Sequence, residues 1–226
     1  MSVEAALSIV VGIVATGVAA YMGYRFVRKR KAHHALWAAG LGLWATSAFT
    51  QASALLGAWS VPSYRAYYFS AIALAGLLGA GTLGLILQRR GLFRGFSAYI
   101  LAATAVFGIA VALAPVDEAV LTSAVIGGAG FPASVRLITP FINVPGGIGF
   151  IGGALYTVVK LRRPFAVFIT LGATLPALGG VLARFSMPWF LPFTDFLGIS
   201  FLAAGIYLSV HPMPTVRPAE THSAPP

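Results

Sequence analysis

This chain contains no cysteine, which excludes disulfides, thiolate nucleophiles, iron–sulfur clusters and cysteine zinc sites. Acids are nearly as scarce, with five Asp and Glu among 226 residues against 15 Lys and Arg. No Asp, Glu or Lys falls near the centre of an apolar stretch. Proton relays and cation-coupled carriers rely on such intramembrane carboxylates. The last apolar stretch has no lysine that could hold retinal as a Schiff base. There is no nucleophile–base pair, no HExxH helix, no phosphate loop and no carboxylate pair. An enzyme acting alone is not expected, no catalytic residue is assigned, and no metal or other cofactor is predicted. The histidines do not change this. His33 and His34 are adjacent and point about 100° apart on a helix, unlike the facing pair that ligates haem.

What is abundant is apolar surface. Hydrophobic residues make up 58% of the chain and charged residues 9%, where a soluble domain carries about 25% charged. One soluble core cannot hide that much, so the bilayer is the expected solvent. A crossing needs about 20 mostly apolar residues. Seven stretches qualify: Ala5–Phe26, Ala35–Trp59, Ala66–Leu87, Phe96–Ala114, Leu137–Val159, Phe165–Ala183 and Phe190–Val210. The expected fold is an all-α integral membrane bundle of seven helices over residues 1–210. Between the third and fourth stretches, QRRGLFRG reads as a tight basic turn. The longer segment before the fifth has room for a short surface or re-entrant helix over 119–127. Residues 211–226 form a proline-rich polar tail that cannot bury enough to become ordered.

The net charge of +10 is distributed unevenly. Twelve basic residues gather on one side, in RFVRKRK, QRRGLFRG, KLRR and Arg217; three, Arg65, Arg136 and Arg184, lie on the other. Basic residues near helix ends stay in the cytoplasm. The N-terminus is therefore expected outside and the C-terminus inside, in a multi-pass cytoplasmic membrane protein. Abundant Ala and Gly without Cys suit a prokaryotic source. The expected partners are the lipid bilayer and anionic lipid at the basic face, at about 1 kcal/mol per basic residue near the surface. Nucleic acid is not expected. Stripes of small residues, such as Gly76, Ala80 and Gly84, allow close approach of helices. They serve packing within the chain or, alternatively, a homo-oligomer or protein-partner interface.

A parallel 3+1+3 arrangement is suggested by a shift of 132 residues. It aligns YRFVRKRKAHHALWAAGLGLWA with YTVVKLRRPFAVFITLGATLPA, with six of 22 positions identical, including Arg30/Arg162 and Gly40/Gly172.

The fifth stretch, LITPFINVPGGIGFIGGALYTVV, is the strongest functional pointer. Pro140 and Pro145 each remove a backbone donor. A helix broken at membrane depth is tolerated only against protein or a water-lined cavity, and transporters build binding sites at such breaks. A packed kink is the alternative. The ligand-binding candidates are Asn143, Pro145 and Gly146 here, Gln51 in the second stretch, and Tyr67 and Tyr68 at the start of the third. Asn143 and Gln51 could line a neutral polar pocket if they face each other. Arg184 and Asp195, in ARFSMPWFLPFTDFLG, could pair across a turn, with Thr194 and Asp195 capping the last helix. With Arg65 and Arg136 they form an expected charged mouth or ion-pair set at the outer side. Two functions fit these features. One is a non-enzymatic bundle that binds or passes a neutral or lipid-like molecule. The other is an accessory or sensory membrane subunit of a larger complex.

Overall fold

The structure, a computed structural model, describes residues 2–57, 59–87, 90–122, 127–185, 187 and 189–210, with backbone only at 90 and 184. The expected tail over 211–226, and with it His211 and Arg217, lies outside the described residues, as do 123–126 of the proposed surface helix. All regular structure among the described residues is helical.

Four long helices open the chain: α1 (Val3–Lys29), α2 (Ala32–Leu55), α3 (Val61–Ile86) and α4 (Arg90–Leu113). Three shorter pieces follow, α5 (Ala133–Arg136), α6 (Pro140–Gly147) and α7 (Gly153–Val159), with a π-helical turn at Ile148–Gly152 between the last two. Together they make one apolar rod, Ala133–Val159. The chain ends in α8 (Phe165–Arg184) and α9 (Phe190–Val210). Six helical units, α1, α3, α4, the rod, α8 and α9, are long and apolar enough to cross a bilayer. Helix α2 is long enough, but His33, His34, Thr46, Ser47, Thr50, Gln51 and Ser53 make it more polar.

Local chemistry explains where the helices start and stop. Ser2 caps α1 by accepting from the Ala5 N–H, with Glu4 in the first turn, where it meets the positive end of the helix dipole. The second helix ends four residues before the predicted Trp59, because Leu56 and Gly57, at φ 81°, turn the chain. Ser60 and Ser63 then form a reciprocal capping box with Pro62 beside it. This starts α3 five residues earlier than predicted and places Tyr64, Tyr67 and Tyr68 in its first turns. QRRGLFRG is likewise no simple turn, since α4 begins at Arg90 and Phe93 packs against Gly84. Of the helix predicted over 119–127, the described part is a single 3-10 turn, Glu118–Val120, capped by the Asp117 carboxylate. Thr194 and Asp195 do not cap α9. That helix starts at Phe190, and the Thr194 hydroxyl donates back to the carbonyls of Phe190 and Leu191.

The helices pack as a closed ring in the order α1, α2, α3, rod, α8, α9 and back to α1, with α4 outside against α3 and the rod. Lipid supplies no hydrophobic force between helices, so close approach decides their packing. Gly79 and Gly146 bring α3 and the rod backbone to backbone, and neither has room for a Cβ. Gly149 rests on Gly79, and Gly153 on Thr82. Gly40 packs on Leu78 and Gly81 on Trp37 where α2 meets α3. Gly172 packs on Leu202 and Gly205 on Ile169 where α8 meets α9. The ring interior is filled by Leu41, Trp44, Leu78, Phe150, Ile199 and Leu202. Two turns at the basic end use non-glycine residues in the left-handed region, Arg30 at φ 51° and Arg162 at φ 49°.

Candidate functional site

The rod is helical throughout the span that the prolines threatened to break. Residues Gly147, Ile148, Gly152 and Gly153 all keep right-handed helical angles. The prolines still free two carbonyls, four residues upstream of each. Pro145 frees that of Phe141, and the Tyr99 hydroxyl of α4 donates to it at 2.7 Å. Pro140 frees that of Arg136, and the Thr139 hydroxyl donates to it at 2.9 Å. The widened π turn then absorbs the register change. A kink satisfied by neighbours therefore replaces the open break that would line a cavity.

The other predicted site residues are dispersed. Gln51 is buried on α2 with its Nε2 unpartnered, and Asn143 is half-buried on α6 with its Oδ1 unpartnered. They do not share a pocket wall, because α3 stands between them. At 100° per residue, Leu78 and Gly81, which touch α2, lie on the face of α3 opposite Gly76 and Gly79, which touch α6. Gly146 is occupied by its contact with α3.

Tyr67 and Tyr68 are buried in a cluster with Tyr64, Phe107 and Phe131, against which Val116 and Leu121 also pack. Phe131 stacks on Tyr64 and Tyr68 at ring distances of 5.2 and 5.0 Å. The Tyr64 hydroxyl donates to the Gly127 carbonyl at 2.7 Å and accepts from the Gly130 N–H at 3.0 Å, which pins the loop to α3. Arg65 donates to the carbonyls of Ala112 and Ala114 and so closes the end of α4, where a cation suits the negative end of the helix dipole. Arg136 is exposed. Asp195 is half-buried and lies within Coulombic range of Tyr67. Arg184 is the last residue of α8, and its side chain lies outside the described residues.

A cavity lies at the opposite, basic end. It measures about 290 Å³, close to the lower bound of about 300 Å³ for small-molecule pockets. All six members of the ring contribute: Met22 and Arg25 of α1, His33, His34 and Trp37 of α2, and Thr82, Leu85 and Ile86 of α3. Ala154 and Thr157 of α7, Phe165, Ala166 and Ile169 of α8, and Ile206 and Ser209 of α9 complete it, with Leu161 and Arg163 from the α7–α8 turn. No Asp or Glu is among these residues. Arg25 donates to the Tyr21 hydroxyl at 3.0 Å and stacks over its ring. Three nitrogens around the cavity, Arg25 Nε, His34 Nδ1 and Trp37 Nε1, are buried without a hydrogen-bond partner. Such atoms are uncommon in folded proteins. No group of three or more His, Cys, Asp or Glu among the described residues could hold a metal.

The sequence reading took His33 and His34 as interfacial residues beside a basic turn and missed the cavity. The available signal was the proximity of RFVRKRK, the two histidines and Trp37 in one short stretch. The chain is thus an all-helical multi-pass membrane protein with a cavity at one end of its ring that no acid among the described residues lines. No known protein family, curated protein or solved structure matches it.

Proposed function

We propose that this chain crosses the cytoplasmic membrane seven times and binds a lipid-like small molecule in the cavity at its basic end. That end faces the cytoplasm, in keeping with the distribution of basic residues. The seventh crossing is α2, which runs between α1 and α3 in the ring. A 3+1+3 arrangement is supported by matched contacts. Gly40 on Leu78 corresponds to Gly172 on Leu202, and Gly81 on Trp37 to Gly205 on Ile169. The α2 and α8 members of these pairs are 132 residues apart, and the α3 and α9 members 124 apart.

The observation that carries the ligand reading is the cavity itself, with aliphatic and aromatic walls and a few nitrogen donors. Such mixed walls suit an amphiphile. Binding fits better than passage, since Leu41, Trp44 and Leu78 fill the ring interior. A neutral ligand between Gln51 and Asn143 has less support, because α3 separates them.

Native mass spectrometry after gentle extraction tests the proposal. Retention of a lipid or other amphiphile of defined mass is expected, and Thr157→Trp, which fills the cavity from a half-buried position, should abolish it. A ligand-free protein, or retention that Thr157→Trp does not change, would count against the reading. A stably retained protein chain would favour the accessory-subunit alternative.

A further inference from the structure

The cavity sits where the two three-helix groups meet, and its wall obeys the same offsets. Arg25 and Thr157, His33 and Phe165, His34 and Ala166, and Trp37 and Ile169 all line it, and each pair is 132 residues apart. Thr82 and Ile206, and likewise Leu85 and Ser209, line it 124 residues apart. The cavity therefore lies on the local axis that relates the groups. Transporters built from repeats place substrate sites at such repeat interfaces.

The paired positions match in place but differ in chemistry. The α1–α2 wall presents a guanidinium, two imidazoles and an indole. The facing α7–α8 wall presents one hydroxyl, a phenyl ring, a methyl and a branched aliphatic. One wall is polar and cationic, and the other is apolar. Arg163 adds a second guanidinium at the exposed rim. Among the described residues no carboxylate lines the cavity to neutralise these charges. Arg25 has a tyrosine hydroxyl as its hydrogen-bond partner, and its Nε is left unmatched. A guanidinium recognises phosphate and carboxylate through parallel N–H donors.

We infer that the cavity takes an anionic amphiphile, with its phosphate or carboxylate against the α1–α2 wall and its hydrocarbon along the α7–α8 wall. This rests on the proposed lipid-like ligand and adds the sign of its charge and its orientation.

The test uses the full chain in neutral detergent with three probes: phosphatidylglycerol, phosphatidylcholine with the same acyl chains, and inorganic phosphate, read by native mass spectrometry. Phosphatidylglycerol should bind roughly thirtyfold more tightly than phosphatidylcholine, the effect of two basic residues. Arg25→Gln should reduce that preference about fivefold. Arg94→Gln, on exposed α4 outside the ring, should leave the preference intact. Equal binding of the two lipids would overturn the anionic assignment while the lipid-like reading stands. Equal losses from Arg25→Gln and Arg94→Gln would assign the preference to the general surface charge and overturn the cavity site. Displacement of phosphatidylglycerol by millimolar phosphate would identify a free-anion site and overturn the amphiphile. Failure of both lipids to bind would sink this inference and the proposed function together.

Discussion

Single side chains decide whether the fifth apolar stretch opens or closes. Pro145 removes one donor, and Tyr99 supplies another from a different helix. This bond lies on the exposed surface of the bundle, where lipid offers a freed carbonyl no donor, so Tyr99→Phe should cost about 1–2 kcal/mol in thermal unfolding. In a Pro145→Ala background the backbone N–H returns, and the same Tyr99→Phe change should cost almost nothing. The difference between the two costs is a coupling energy that a double-mutant cycle measures. Equal costs in both backgrounds would show that Tyr99 does not serve the proline. Gly79 is equally specific, because a Cβ there would run into the Gly146 backbone. Gly79→Ala should destabilise by about 1–3 kcal/mol through overpacking, whereas Gly147→Ala, with open space at its Cβ position, should not show that penalty.

Among the helices, α3 is the one on which most of the architecture rests. It touches α2, α4 and every part of the rod except α5, and its first turns carry the tyrosine cluster. The Tyr64 hydroxyl is the pin for the loop above it, so Tyr64→Phe should speed amide exchange at Gly130 while leaving the middle of α3 protected. Unchanged exchange there would mean that ring stacking by Phe131 alone holds the loop. Hydropathy located the apolar lengths of α8 and α9 almost to the residue, because their ends coincide with the ends of apolar runs. It misplaced the start of α3, which depends on the Ser60–Ser63 capping box, and the end of α2, which depends on Gly57. It found Pro145 as the unusual position, but the sequence holds no mark that pairs it with Tyr99, 46 residues away. The cavity was legible only in pieces, since its wall comes from six helical units whose neighbours are fixed by packing rather than by order along the chain.

For the assembled chain, orientation is the property most open to a direct test. The absence of cysteine means that each introduced thiol is unique. Arg30→Cys and Asp117→Cys should react with a membrane-impermeant maleimide from opposite faces of sealed vesicles, with Asp117→Cys labelled from outside in intact cells. Labelling of both from the same face would contradict the seven-crossing reading and leave α2 outside the bilayer. The same ring places Arg30 and Arg162 in matching left-handed turns, so a glycine at either position should be tolerated structurally and should relieve a local backbone cost of about 1 kcal/mol.

Helix α2 supplies a wall of the ring and part of the cavity, yet it is the long helix with the least apolar sequence. Its buried Gln51 and Ser47 face protein rather than lipid. During synthesis this segment leaves the ribosome after α1 and before α3, the two helices that shield it. Alone, it would partition poorly into the bilayer. On the proposed seven-crossing arrangement, its entry depends on waiting at the insertion machinery until α3 arrives, so a nascent chain cut short after Leu55 should leave this polar helix at the membrane surface, exposed to quality-control proteases.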